Sequence, residues 1–307
     1  MSRALIQTKI HGFTGCSTVW QRNIPALSER WRVIAPDLRG HGESDKPKHG
    51  YHVSRLAMDL RELLVHLLRD FQKAPGDIRF RVVAGSLGCS ILWLVRPTTN
   101  LYHKLTLPNS RCYAELFTTA PFTHMIFVDQ APLQNSTLDG WDTRFCNRGM
   151  NSAATLAALQ TTLQLSPETA YKNTIASCLA YRSHPLPSDG ISFETSLSDE
   201  SFFLARALKG NPQWYGKLMA DHTSLDWRDS ISTTFGDPNS SETKVLVIAS
   251  SRSGCFPAEG PMAAVDLINA NRDSNVAKGV VIDWGGHWCY WENPEKFNDI
   301  VVAFLID

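Results

Sequence analysis

Toward both ends of the chain, short apolar runs bounded by Gly, Pro and polar clusters alternate with stretches of helical spacing. Trp31 to Asp37 (WRVIAPD) predicts a buried strand. From Val53 to Gln72 the apolar positions Leu56, Leu60, Leu63, Leu64, Leu67, Leu68 and Phe71 recur on one helical face, with charged residues mainly on the other. Pro75 and Gly76 end that helix ahead of a second strand, Val82-Val83-Ala84. This strand runs into the turn AGSLG and a further helix carrying Ile91, Leu92, Leu94 and Val95. HMIFVD at 124–129, KVLVIAS at 244–250 and GVVIDW at 279–284 read as strands, and Ala4 to Ile10 as a weaker one. Helices are expected over 258–271 and over 294–306, the latter with proline at its first turn. Strand, helix and strand at these lengths suit right-handed crossovers, so the expected class is α/β, a mostly parallel sheet flanked by helices.

Between about 134 and 230 the pattern changes to few strand-like runs and many Ser, Thr and Asn. Helical spacing occurs around 152–165, 167–182 and 200–220, broken by Pro185, Pro187 and Gly190. This reads as a helical lid, residues 134–230, inserted into a core formed by 1–133 and 231–307. Its aromatic residues, Trp141, Phe145, Tyr171, Tyr181, Phe202, Phe203, Trp214 and Tyr215, are available to line a pocket or to form the lid's own core. A second interruption is the polar stretch RPTTNLYHKLTLPNSRC at 96–112, where Pro97 stops the helix that follows Ser86. A short helical piece, YAELF at 113–117, comes after it.

Composition narrows the function. With 307 residues, 43% of them hydrophobic, the chain can bury a large core. Thirty basic against thirty acidic residues, without long runs of one sign, give no electrostatic case for nucleic acid or an anionic membrane surface. A small, weakly polar molecule is the expected partner. Seven scattered cysteines without a CxxC pair read as reduced, mostly buried thiols. No signal peptide or bilayer-spanning run is legible, so a cytoplasmic protein is expected.

The chemistry concentrates at loops that follow strands. Ser86 sits on the strand-to-helix turn Ala84-Gly85-Ser86-Leu87-Gly88, where small neighbours leave a serine oxygen projecting above the sheet edge. Read without its surroundings, this is equally an ordinary Gly/Ser turn. A serine hydroxyl attacks an ester poorly unless a base takes its proton, and a histidine of near-neutral pKa suits that task. His287, in the loop GGHWCYWENP directly after a strand, would emerge at the same carboxyl edge. The loop His11-Gly12-Phe13-Thr14-Gly15 can turn backbone amides toward an oxyanion, or can simply be a Gly-rich turn. His41 and Asp45, in LRGHGESDKP, read as turn formers with a functional role left open.

Taken in order, HGFTG with Trp20, APDLRGHGESDKP, VVAGSLG, FVDQAP, DWR at 226–228, KVLVIAS and GGHWCYWENPEKFN resemble the α/β-hydrolases, specifically the lid-bearing esterase, lactonase and cofactor-free haloperoxidase-like group. The resemblance covers most of the chain outside 134–230. It implies Ser86 as nucleophile, His287 as general base, and the backbone N–H groups of Phe13 and Leu87 as the oxyanion hole, with no metal or organic cofactor. It also implies an acid in the loop after KVLVIAS. That loop reads SSRSGCFPAEG, with Ser253 in the expected place and Glu259 assigned to the next helix. The fold's other acid position holds Asp129, which is taken as the acid that orients His287, the alternative being no dedicated acid or a strand-end aspartate that caps a turn. Two further departures are the few residues before His11, which leave N-terminal strands of the fold missing, and the excess length between Ser86 and Asp129, close to that of 96–112. Together they suggest an imperfect gene model with a truncated start and a translated intron. Transcript reads continuous across 90–118 would overturn that reading. The implied function is hydrolysis of an ester, lactone or thioester through an acyl-enzyme. The alternatives are a hydrolase-like binding protein or inactive variant, and a lyase or cyclase using the same Ser/His pair. Epoxide hydrolases and haloalkane dehalogenases share the fold but carry aspartate at the elbow, where this chain has Ser86.

Overall fold

A computed structural model describes residues 5–70, 79–94, 122–136, 141–238, 242–272 and 275–307. The expected helix at 113–117, the interrupted stretch 96–112 and Cys112 lie outside the described residues. Among the described residues, six parallel strands form one sheet: β1 (Leu5–Ile10), β2 (Arg32–Ile34), β3 (Arg79–Gly85), β4 (Phe122–Val128), β5 (Lys244–Ser250) and β6 (Ala277–Ile282). Their order is β2-β1-β3-β4-β5-β6. The chain steps from β1 outward to β2 and then returns to the far side of β1, so the order reverses between β1 and β3. A crevice opens at such a switch point, outside the carboxyl ends of the strands.

One face of the sheet is covered by α2 (Val53–Asp70), α3 (Leu87–Trp93), α9 (Arg228–Phe235) and α10 (Glu259–Asn269), with Leu56, Leu60, Leu92, Phe127 and Phe235 buried between them. Full burial of each such side chain contributes roughly 1.5–3 kcal/mol. The opposite face packs against α1 (Ile24–Ser28), α11 (Cys289–Glu292) and α12 (Pro294–Ile306), through Trp20, Val83, Ile126, Leu246, Phe297 and Val301.

The residues between β4 and α9 form α4 (Ala153–Leu165), α5 (Pro167–Cys178), α6 (Ala180–Ser183), α7 (Phe193–Ala207) and α8 (Pro212–Ser224). Helical spacing across 200–220 suggests one helix, but the structure makes two. Asn211 caps α8, its side chain accepting from the N–H groups of Gln213 and Trp214, and Pro212 opens the helix. Aromatic residues of this segment pack inward: Phe203 stacks on Trp288 at 3.8 Å between ring centres, and Phe202 on Trp291 at 4.2 Å. Helix α9 runs across the expected boundary at 231.

Strand β2 is shorter than WRVIAPD suggests. Pro36 withholds a donor, and Asp37 turns its carboxylate into the neighbouring loops, accepting from Ser17 N–H at 2.6 Å and Glu43 N–H at 2.7 Å. None of the described helices is long and apolar enough to cross a membrane.

Candidate active site

The turn at the end of β3 is strained at one residue. Ser86 has φ 51° and ψ −121°, a conformation that L side chains rarely adopt, and is held there by its N–H donating to Val128 O at 3.0 Å. Close packing explains two of the glycines around it. A Cβ on Gly88 would lie 2.9 Å from Ile10 O, so α3 approaches β1 only with glycine there. A Cβ on Gly12 would lie 3.0 Å from the Ser86 Cβ, so the loop after β1 rests directly against the serine. Gly85 is different, since a Cβ there would make only an ordinary contact with Tyr290 at 3.5 Å. Crowding therefore does not by itself demand glycine at position 85.

Phe13 and Leu87 lie on the two loops that meet at Ser86. Among the described residues, neither backbone N–H donates to a protein acceptor. They are free to serve a ligand oxygen. His11, by contrast, is fully committed to structure: Nδ1 bonds Gly12 O at 2.8 Å and Nε2 accepts from Leu38 N–H at 2.9 Å. Burial pulls its pKa down to about 4, which fits a neutral ring holding two loops together. His41 is also buried, with its ring 5.1 Å from His11 and 4.7 Å from Tyr215, and burial takes it to about 3. Asp45 instead lines a cavity of about 660 Å³ between α2 and the loop after β2, away from Ser86.

On the other side of the crevice, Asp129 follows β4 with φ 49° and is 1% exposed. Its Oδ2 bonds Nδ1 of His287 at 2.7 Å and accepts from Ser253 Oγ at 2.6 Å, while Oδ1 accepts from Ser250 N–H at 3.1 Å. Ser253 Oγ in turn accepts from the N–H groups of Cys255 and Phe256, at 3.1 and 3.2 Å. Sequence reasoning noted Ser253 only as the place of a missing acid. The structure makes it the hydroxyl that bridges that loop to Asp129. Burial pulls the His287 pKa down, but the neighbouring Cys255 and the Asp129 carboxylate outweigh it and raise the ring to about 9. Among the described residues, His287 makes no hydrogen bond to Ser86, whose Oγ instead donates at the 3.5 Å limit to Gln130 Oε1.

Two further residues escaped sequence reasoning. Glu292 accepts from Gly286 N–H at 2.7 Å and Ala180 N–H at 2.8 Å, so one carboxylate ties the His287 loop to α6. Burial raises its pKa to about 7, against those hydrogen bonds. His222, on α8, is buried with no partner for Nδ1 among the described residues; burial, with the charge of His287 adding to it, lowers its pKa to about 3. Glu292 carries a partial signal, a lone acid in the loop GGHWCYWENP. His222 carries none beyond being a histidine in an otherwise plain helix.

A parallel sheet with a strained serine after β3 and a His/carboxylate pair beyond β4 and β6 defines the hydrolase class of α/β folds. Comparison with known proteins agrees. Residues 10–95 match the family described as alpha/beta hydrolase fold. A soluble epoxide hydrolase from Corynebacterium sp. (strain C12) is 48% identical over 58 residues, covering 19% of this chain and 20% of that protein. The chain thus spans about a fifth of the length of the curated relatives it matches. Among solved structures, bromoperoxidase from Bacillus anthracis superposes with a TM-score of 0.75 at 18% identity, over 99% of this chain and 92% of that one. An esterase from Exiguobacterium antarcticum gives 0.73 at 14% identity, over 100% and 94%. At those identities the superpositions speak for the fold alone. The chain has the α/β-hydrolase fold, and its residues 10–95 match the family of that description.

Proposed function

We propose that this protein is a serine hydrolase cleaving an ester, lactone or thioester of a small, fairly apolar molecule. Ser86 attacks the carbonyl while the neutral form of His287 takes its proton, Asp129 holds the imidazole and stabilises its charged form, and the amides of Phe13 and Leu87 receive the oxyanion. Water then releases the acyl group by the reverse proton path. The helical segment 134–230 acts as the lid over that crevice. The observation that carries the reading is the 2.7 Å bond between Asp129 and His287, because it supplies the acid that the loop after β5 lacks.

The relatives' names add esterases and an epoxide hydrolase, and Ser86 at the elbow favours acyl transfer over epoxide opening. A binding protein with the same crevice is the second reading, favoured by the absence of a Ser86–His287 hydrogen bond among the described residues. A fluorophosphonate probe separates the two. Labelling of the wild type and none of Ser86→Ala is the expected outcome, whereas a folded wild type that resists labelling sinks the hydrolase.

A further inference from the structure

Beside the His287 ring, two cysteines far apart in sequence come together. Cys178 ends α5 and Cys255 lies in the loop after β5. Their sulfurs are 3.7 Å apart, and with a His287 ring nitrogen they form a set whose atoms all lie within 4.8 Å of one another. Two thiolates bound to one tetrahedral zinc at about 2.3 Å each stand about 3.8 Å apart. The sulfur separation already matches that spacing, and closing the nitrogen onto a shared ion needs a side-chain shift of about 1 Å.

The three segments are fixed to one another by backbone. Gly254 N–H donates to Ser177 O at 3.1 Å, and Trp288 N–H donates to Cys178 O at 3.1 Å. A Cβ on Gly254 would lie 2.6 Å from Ser177 O, so this approach is built into the chain. Asp129 occupies His287 Nδ1, which leaves Nε2 as the nitrogen able to ligate. A carboxylate behind a ligating imidazole is the usual arrangement for orienting it. Cys255 is the one cysteine among those described that is not fully buried, and it lines a cavity of about 310 Å³ that gives an ion a way in.

We infer that Cys178, Cys255 and His287 form a three-ligand site for a thiophilic divalent cation, zinc above all, with a fourth position left open. Two thiolates and an imidazole select zinc over magnesium or calcium, which prefer oxygen ligands. Occupation takes the Nε2 lone pair that would receive the serine proton, so zinc is an inhibitor of this enzyme. That second consequence rests on the reading of His287 as the base, whereas the site itself does not.

The test titrates the reduced full-length protein with zinc, and separately with cobalt as a spectroscopic probe, alongside magnesium and calcium. One equivalent of zinc binding, with a thiolate-to-cobalt charge-transfer band, is the expected result. Cys178→Ser and Cys255→Ser should each weaken binding by about 100-fold or more, since losing a ligand costs more than losing an outer partner. Ser86→Ala should bind as the wild type does. Hydrolysis by the wild type should fall in step with zinc occupancy, and Cys178→Ser should remain active at the same zinc concentration. Wild-type protein that gives no charge-transfer band and no stoichiometric zinc binding overturns the site, whatever the variants do. Stoichiometric binding without loss of hydrolysis upholds the site and removes His287 from the role of base.

Discussion

Strands β1 and β5 hold equivalent places in the sheet, each one in from an edge, and each ends beside the candidate site: β1 runs into the loop of Phe13, while the end of β5 and the loop after it supply Ser250 N–H and Ser253 Oγ to Asp129. Their side chains have little in common. In β5, Val245 to Ala249 are all apolar and all buried. In β1, Gln7, Thr8 and Lys9 are just as buried, and their side-chain polar atoms have no hydrogen-bond partner among the described residues. Lys9 shares a register row with Val83, Ile126 and Leu246, and its ammonium position lies over the Trp20 ring at 5.1 Å and the Phe297 ring at 5.8 Å. Burial without a partner drives its pKa well below the usual lysine value. Propensity and burial therefore select β5, whereas β1 is held by its backbone ladder to β2 and β3 and by the glycine-dependent contact of α3. The groups that brace Asp129 rest on a strand suited to its place, and the loop of Phe13 on one that works against it.

The contrast can be tested from both ends. At the carboxylate that β5 and its loop brace, the largest effect is expected from Asp129→Asn, which should lower kcat by about 10⁴ with little change in fold. Near-wild-type turnover would detach that carboxylate from catalysis. Gly12→Ala probes the β1 side, where the added methyl must displace either the Ser86 side chain or the loop carrying the Phe13 amide. A fall in kcat of about 10²-fold with KM little changed is the signature of a misplaced oxyanion donor.

Lys9→Met removes the conflict inside β1 and should stabilise the fold by about 1–4 kcal/mol in urea unfolding. The sign of its pH dependence is fixed. The unfolded chain protonates Lys9 below about 10.4 while the folded chain resists doing so. Wild-type stability should therefore rise as pH climbs toward about 10.4, with Lys9's share of that slope absent in Lys9→Met. An unaltered slope would mean that Lys9 keeps its charge in the fold. The smallest effect is expected from Ser253→Ala, which deletes one of Asp129's three hydrogen bonds and leaves two amides without an acceptor. A stability loss of about 1–3 kcal/mol with turnover reduced less than in Asp129→Asn would mark Ser253 as support for the acid.

Legibility followed the same divide. Where pattern and burial agree, as in KVLVIAS and PEKFNDIVVAFLI, the expected element and the observed one coincide. The elbow and GGH loops were readable because strained or crowded backbone demands small residues at set offsets. Helix α8 was missed as a separate element although Asn211-Pro212 announces a cap, because helical spacing continued across the break. The meeting of Cys178 with Cys255 was invisible, since nothing local ties residues on either side of the stretch from α6 to β5 to each other. Ser253 was noticed for what it is not. Its hydroxyl became informative only when the fold brought Asp129 to it.

The Glu292 carboxylate holds the first turn of α6 and the backbone of the histidine loop at the same time, and the Phe203–Trp288 and Phe202–Trp291 stacks fasten that loop to α7. The backbone that carries His287 is thereby yoked to two helices of the inserted segment, so a displacement of α6 and α7 would pull directly on the imidazole's position.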